Sequence, residues 1–377
     1  MRKCQTIFTN LFLHKGNKMK RLIMAVFFAA SLMTFTTTAH SENFNYIVGA
    51  SVDGGQAKWA QQLTKQWNKF LKNYGHTVSL RYIKQQQGKK ALTEFATTYK
   101  NDHTVILQPK GITAWVTTSG GWKGYDPKNN VPIAGQLNGT FVFAKTKLPD
   151  IPATHVGGGA ETILDVMAMV VMICGPMELS ETLQCQKEKL RLVYGWKGSG
   201  QRRKAYLSND IQITRDGFAH MRKTYKDELK SGKTKVWFSH GIADSKLGMI
   251  ADPNHPHTFF DKVYYKKWNK LPSGDYFNVY RQTAMFRSAF GKHIIVHANN
   301  PHYSDLVNSF KDMLGDKGAR KVLDKKLGVY PWTIGKSTEE VHNMVWKSLD
   351  KKSLNNMEII RRTFKENTNI NPMLTFD

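Results

Sequence analysis

Beyond residue 41 the chain alternates short apolar runs of strand type with longer stretches of helical periodicity, and that alternation restricts it to a few architectures. Phe44–Gly49 (FNYIVG) reads as a strand. Lys58–Tyr74 then sets Trp59, Leu63, Trp67, Phe70, Leu71 and Tyr74 along one helical stripe that stops at Gly75. Thr77–Ile83 alternates Val78, Leu80 and Tyr82 as a half-buried strand does, the helical stretch Lys89–Tyr99 follows, and Thr104–Leu107 reads as another strand. After a looser stretch, Gly120–Pro132, the rhythm resumes. Strands are expected at Thr140–Ala144, Thr154–Val156, Leu190–Tyr194, Ile211–Thr214 and Lys235–Ser239, with helices at Ala160–Ile173, Arg202–Leu207 and Phe218–Ser231. Such alternation predicts mostly parallel sheet covered on both faces, right-handed crossovers, and any ligand site at the strands' C-terminal ends. A last section carries Lys292–His297 as a strand and then mostly helices, one opened by Ser337-Thr338-Glu339-Glu340, a predicted capping box. Asn254–His257 and Pro272–Gly274 read as surface loops, and there is no internal repeat or heptad run.

The start of the chain speaks to its compartment. Lys20 and Arg21 precede the apolar run Leu22–Phe35, followed by Thr36-Thr37-Thr38-Ala39-His40. A basic start, a short apolar middle and a small-residue exit describe a secretory signal peptide cleaved near Ala39, not a span, which needs about 20 apolar residues. Met19 stands where such a peptide normally begins, so residues 1–18 read as an N-terminal extension, and either Met1 or Met19 is the true start. At 377 residues, with 41% hydrophobic and 22% charged residues, the chain has enough apolar material for two domains with real cores. Its formal charge is +26; residues 1–39 carry six basic residues and no acid, so the mature protein keeps +20. Cys4 falls in the removed segment, leaving Cys174 and Cys185 as a pair in an oxidising compartment. A disulfide closing that short loop is expected, with two buried thiols as the other reading.

Two glycine-rich turns each lie between a predicted strand and a predicted helix. One is Gly49-Ala50-Ser51-Val52-Asp53-Gly54-Gly55-Gln56; the other is Gly157-Gly158-Gly159-Ala160-Glu161-Thr162. Glycine lets backbone approach a ligand closely, and the helix start that follows offers unpaired N–H groups and partial positive charge to an anion. Two such turns facing each other would clamp a carboxylate, whereas a single one is commonplace. Neither matches the Walker or dinucleotide pattern, so a nucleotide site is disfavoured. A third turn, Tyr194–Gly200, offers Lys197 as a point charge, or else as a solvated lysine in a loop.

Catalytic signals are thin. His293 and His297 lie four apart on a predicted strand and could share a metal, but a surface pair is the commoner outcome; no zinc-type spacing occurs and no metal or cofactor is expected. Ser239-His240-Gly241 lacks the G-x-S-x-G elbow of a hydrolase. Residues 187–235 hold 14 Lys or Arg against 5 Asp or Glu, a basic field that attracts anions or simply keeps an exported protein soluble; nucleic acid is not an expected partner.

The order of these features resembles the solute-binding proteins of tripartite tricarboxylate transporters, periplasmic receptors with a type II binding-protein fold. The resemblance is carried by the exported start, VDGGQAKWAQQL (Val52–Leu63) after YIVG, and the Gly157–Thr162 turn. To these are added VYGWKGSGQRRKAYLSNDIQ (Val193–Gln212) and AFGKHIIVHANNPHYSDLVNSFKDMLGDKGARKVLDKKLG (Ala289–Gly328). Asp53 precedes its glycine pair where the family's aspartate follows, Glu161 replaces a serine, and the Cys174–Cys185 segment looks like an insertion. The resemblance implies two α/β lobes, residues 41–146 plus 292–377 and residues 147–291, closing by a hinge on a small organic acid. It implies a monomeric periplasmic receptor, not an enzyme, that serves membrane transporter subunits. The residues implied for binding are Ser51, Gly54, Gly55 and Gln56; Gly111, Ile112 and Thr113; Gly157, Gly158, Gly159, Ala160, Glu161 and Thr162; and Lys197, Gly198 and Ser199. The competing expectation is a secreted hydrolase or metal-dependent enzyme on a two-lobed scaffold, using His240 or His293 with His297. A third is a basic exported module that binds anionic polymers.

Overall fold

Two sheets organise the chain in a computed structural model that describes residues 41–83, 88–109, 127–146, 154–157, 163–193 and 199–368. The predicted signal peptide therefore lies outside the described residues. The first sheet holds β1 (Asn43–Val48), β2 (Thr77–Tyr82), β3 (Val105–Gln108), β4 (Asn130–Gln136), β12 (His293–His297) and β13 (Trp332–Ile334), in the order β13-β4-β12-β3-β1-β2. The second holds β5 (Phe141–Lys145), β6 (Thr154–Gly157), β7 (Leu190–Val193), β8 (Ile213–Asp216) and β9 (Thr234–Ser239), in the order β7-β6-β8-β5-β9. β10 (Ile242–Asp244) and β11 (Gly248–Ile250) form a separate hairpin. Pairing is parallel where helices connect consecutive strands (β1 with β2 and β3, β6 with β7 and β8) and antiparallel where β4, β5 and β12 carry the chain between the sheets.

The first helix, α1 (Gly55–Leu71), buries the stripe Trp59, Ala60, Leu63, Trp67 and Leu71 against the first sheet; a short 3-10 turn then leads to Gly75 at φ 77. α10 (Tyr303–Gly315) and α11 (Lys317–Leu327) cover the same face: Trp67 donates its indole N–H to Ser309 at 2.9 Å, and its ring lies 4.7 Å from Phe310. α2 (Lys89–Ala96) packs Ala91, Leu92 and Phe95 against the opposite face. The second sheet packs on one side against α3 (Ile163–Cys174), α8 (Phe260–Trp268) and α9 (Asp275–Phe290). Its other side meets α5 (Ser199–Leu207), α6 (Phe218–Lys223) and α7 (Lys226–Lys230). The closing helices α12 (Lys336–Lys347) and α13 (Lys351–Thr368) add Val341, Val345, Met357 and Ile360 to the same core as α3 and α9. Among the described residues no single helix is long and apolar enough to cross a membrane.

The structure departs from the sequence reading in three places. The stretch 218–231 is two short helices, not one, because Thr224 and Tyr225 interrupt it. β4 begins at Asn130, inside the stretch read as loose. The box expected at Ser337 does not cap a helix: α12 starts one residue earlier, and the Ser337 hydroxyl instead exchanges hydrogen bonds with the N–H and C=O of Ile334. A capping box does form at Glu178 and Glu181, opening α4 (Leu179–Lys189).

Cys174 and Cys185 form the expected disulfide, tying the last residue of α3 to α4 across a separation of 11 residues. Loop-closure entropy makes such a bond worth about 3 kcal/mol. Urea unfolding of the Cys174→Ala/Cys185→Ala variant should show a loss near that size, and an unchanged free energy would mean that the core alone fixes this corner.

His293 and His342 are buried face to edge, ring centroids 4.5 Å apart, and His342 also stacks on Phe290 at 4.2 Å. Burial holds His342 down to about 3, and burial with the neighbouring His342 holds His293 well below its usual value. The folded state thus binds fewer protons than the unfolded chain below about pH 6.5, so stability should fall as pH drops from there toward 3. His342→Phe keeps the stacked ring and cannot charge; its denaturation midpoint should depend less on pH across that window than the wild type's.

Candidate functional site

α1 starts on a bare N-terminus. Its N-cap is Gly54, no side chain caps it, and its first turn has no acid. Lys58 N–H already bonds Gly54 O at 3.0 Å, so the amides of Gly55, Gln56 and Ala57 are the ones a helix start leaves for a ligand. Gly54 donates to Ser51 O at 2.9 Å, which closes the turn, and a Cβ on Gly55 would meet nothing within 4 Å, so the approach is open. Gln108, the polar residue that ends the apolar strand β3, donates to the Gln56 side-chain oxygen and accepts from Tyr46 OH at 2.8 Å. That relay orients Gln56. Lys292 reaches the same turn from the strand end before β12, donating to Gly55 O at 3.0 Å with its ammonium 5.5 Å from the Trp59 ring. Trp59 in turn donates to Gln136 at 2.8 Å.

The facing wall comes from the second sheet. At the end of β8, Asp216 binds the Arg203 guanidinium and Tyr225 OH, the latter at 3.3 Å. Burial alone would raise the Asp216 carboxyl, but Arg203 and Arg202 outweigh it and hold it below the usual carboxylate range. On α6, His220 is held below its ordinary value by burial first and then by the positive charges of Arg203, Lys58 and Lys292, against the pull of Asp216. Two of those lysines belong to the α1 side. The charges of both walls therefore meet at His220. Beneath lies a buried group: Asp165, in the first turn of α3, pairs with Arg215 and with His240 Nε2 at 3.0 Å, while His240 Nδ1 lies 3.1 Å from Tyr280 OH.

Ser51, Gly54 and Gln56 are half-buried and Gly55 is exposed at this wall. Gly157 ends β6, where it is the register partner of Val193 at the end of β7, and Ser199 is the first residue of α5. Gly111, Ile112, Thr113, Gly158, Gly159, Ala160, Glu161, Thr162, Lys197 and Gly198 lie outside the described residues. The segments that carry them leave from strand C-terminal ends: Gln108 is the register partner of Val48 in the first sheet, and Gly157 of Val193 in the second. Sequence reasoning missed Gln108, Lys292 and His220. Only Gln108 had a local signal, a polar residue closing Val105-Ile106-Leu107.

The histidines named in the enzyme expectation are buried and kept apart. His240 is 3% exposed with both ring nitrogens occupied, so it cannot reach a substrate. His293 packs on Phe290 and His342, whereas His297 stacks on Phe95 at 4.1 Å; four residues along a strand, about 13 Å, separate them.

No protein-family model and no curated protein matches this sequence. Among solved structures, the chain is similar to a Rhodopseudomonas palustris protein solved with adipate: 12% identity, TM-score 0.54, covering 86% of this chain and 97% of that one. It is also similar to the periplasmic binding protein BugD, at 15% identity and TM-score 0.51, covering 86% and 98%. A third is MatC from Rhodopseudomonas palustris with bound malate, at 13% identity and TM-score 0.51, covering 83% and 99%. The fold is thus the two-lobed α/β fold of periplasmic binding proteins, as the order of motifs implied.

Because Lys58 and Lys292 act on His220 from the other wall, the variant Lys58→Met/Lys292→Met should raise the His220 pKa, read by NMR titration of its ring. An unchanged value would mean that the two walls do not face each other in solution.

Proposed function

We propose that this chain is an exported receptor that captures a small organic carboxylate between its lobes and hands it to the membrane subunits of a tripartite tricarboxylate-type transporter. The observation that carries the reading is the start of α1 without a side-chain cap, with Lys58 and Lys292 beside it, Lys292 bonding Gly55 O. Backbone N–H groups and flanking cations suit a carboxylate, and among the described residues no arrangement of nucleophile and base accompanies them. The similar proteins solved with adipate and malate belong to the same fold and support this ligand class. Ser51, Gly54, Gly55 and Gln56, with Gly111 to Thr113 from the segment after β3, bind from one side; Gly157 to Thr162 and Lys197 to Ser199 bind from the other. The lobes divide at residues 146 and 292, with α12 and α13 laid across the second core. The protein works as a periplasmic monomer after cleavage near Ala39, and it breaks no bond. Closure follows from binding because only the closed form lets both walls touch the ligand.

Thermal unfolding of residues 40–377 against mono-, di- and tricarboxylates, amino acids and polyanions at two salt concentrations tests this. A ligand at about 100 times its Kd stabilises by roughly 2.7 kcal/mol, a shift of a few degrees. A salt-resistant shift confined to one group of organic acids, weakened roughly 10- to 100-fold in affinity by Lys292→Met or Lys197→Ala, is the expected result. Shifts only with polyanions, vanishing in salt, would replace the receptor with a surface-binding module.

A further inference from the structure

The other end of the first sheet carries a second cluster. β1 pairs in parallel with β2, Asn43 against Thr77, so His76 flanks the N-terminal end of a sheet whose C-terminal end bears the carboxylate turn six residues of strand, or about 20 Å, away. His76 follows the left-handed Gly75 and is 3% exposed. His302 and Asp305 come from the start of α10, as its N-cap residue and a member of its first turn, an H-x-x-D spacing that puts both on one side of the helix end. The ligand atoms of the three residues all lie within 4.8 Å of one another.

The geometry points to a site for a divalent transition metal, zinc in chemical class, held by His76, His302 and Asp305. His76 Nε2 and Asp305 Oδ2 are 3.3 Å apart, and two ligands at tetrahedral zinc distances of about 2.0–2.1 Å are themselves separated by about 3.3–3.4 Å. Phe44, fully buried, sets its ring 5.4 Å from His76 and 5.6 Å from His302, and the two imidazoles stand edge to face at 4.9 Å. Packing therefore holds both rings. Asp305 is 43% exposed, and His302 opens on a surface hollow of about 710 Å³ lined also by Glu42, Thr98, Asp102, His103 and Pro301, so an ion can enter.

Without metal, Glu42 N–H points at His76 Nδ1 at 3.3 Å, so the ring proton resides on Nε2 and is donated to Asp305. An ion takes the place of that proton, which moves to Nδ1 at the expense of the long Glu42 contact. Giving up that contact argues for a micromolar site, not a permanent one. The donor set of two nitrogens and one oxygen suits zinc, copper or nickel and not calcium or magnesium, which take oxygen ligands. A fourth position falls to water or to the Glu42 carboxylate, whose charge already acts on His302.

The test is calorimetric titration of zinc chloride into tag-free, EDTA-stripped mature protein, with cobalt absorption as a report on geometry. One equivalent should bind with micromolar Kd, give the visible spectrum of tetrahedral cobalt, and raise the melting temperature. His302→Ala and Asp305→Asn, both at partly exposed positions, should each weaken zinc at least tenfold while their circular dichroism and metal-free melting temperatures match the wild type. His255→Ala/His257→Ala, which removes a partly exposed histidine pair elsewhere, should leave binding unchanged. Absence of binding, or zinc bound as tightly by the His302→Ala/Asp305→Asn double variant, overturns the site. With the EDTA dialysed away the titration contains no organic acid, so its outcome is independent of the carboxylate reading.

Discussion

The passage of the chain from one sheet to the other at residues 137–140 constrains the rest of the molecule. β4 ends at Gln136 and β5 starts at Phe141, leaving four residues to change sheets. That crossing is held from several sides: Leu137 donates to Pro331 O at 3.0 Å, and the Gln136 side chain accepts from Trp59 while its amide reaches Gly328 O at 3.4 Å. At Gly139 a side chain has no room, because a Cβ would run into the Asp252 carboxylate and close on Gly241 O. Asp252 is buried; burial raises its carboxyl, and bonds from Asn254 and from Tyr330 OH at 3.1 Å offset part of that cost. Glycine at this one position lets a buried carboxylate lie against the crossing backbone.

The crossing joins the two sheets through four residues, Leu137 to Thr140. The first wall, in the proposed site, offers backbone more than side chains: α1 begins without a side-chain cap, and Lys58 and Lys292 add charge at the margin. The second wall is set by buried ion pairs, Arg203 with Asp216 and Arg215 with Asp165. Such pairs are weak evidence for stability, since desolvation consumes much of their attraction, but losing one partner would strand a buried charge. They tie the end of β8 to α3 and α5.

Charge elsewhere in the chain has a simpler reading. The excess of lysine and arginine is spread over solvated helix faces such as Lys223, Lys226 and Lys230, and a net charge this far from zero favours solubility while raising the local concentration of anions. The histidines divide by surroundings. His293 and His342 are sealed among aromatic rings and stay neutral, whereas His76 and His302 meet a carboxylate near the surface.

Much of this was legible along the chain because its signals are local. Alternation of apolar runs with amphipathic stripes is enough to define β1, α1, β2 and α2 within a few residues, and Gly75 marks the turn between α1 and β2 through its positive φ. The glycine turn at 54–56, the disulfide and the two-lobed architecture were also readable, the first from glycine chemistry, the second from compartment and cysteine count, the third from the order of motifs. The crossing strand β4 was not readable, since Asn130-Val131-Pro132 resembles a loop until β12 and β13 pair with it on either side. Nor was Lys292, which reaches Gly55 across 237 residues, nor His220, on α6 beside the second sheet, nor His76 with Asp305, separated by 229. Periodicity reports how each segment buries its own apolar face. Which charges then meet is decided by tertiary packing, because electrostatic and metal-ligating partners depend on distance in space and leave no mark on the spacing of residues in sequence.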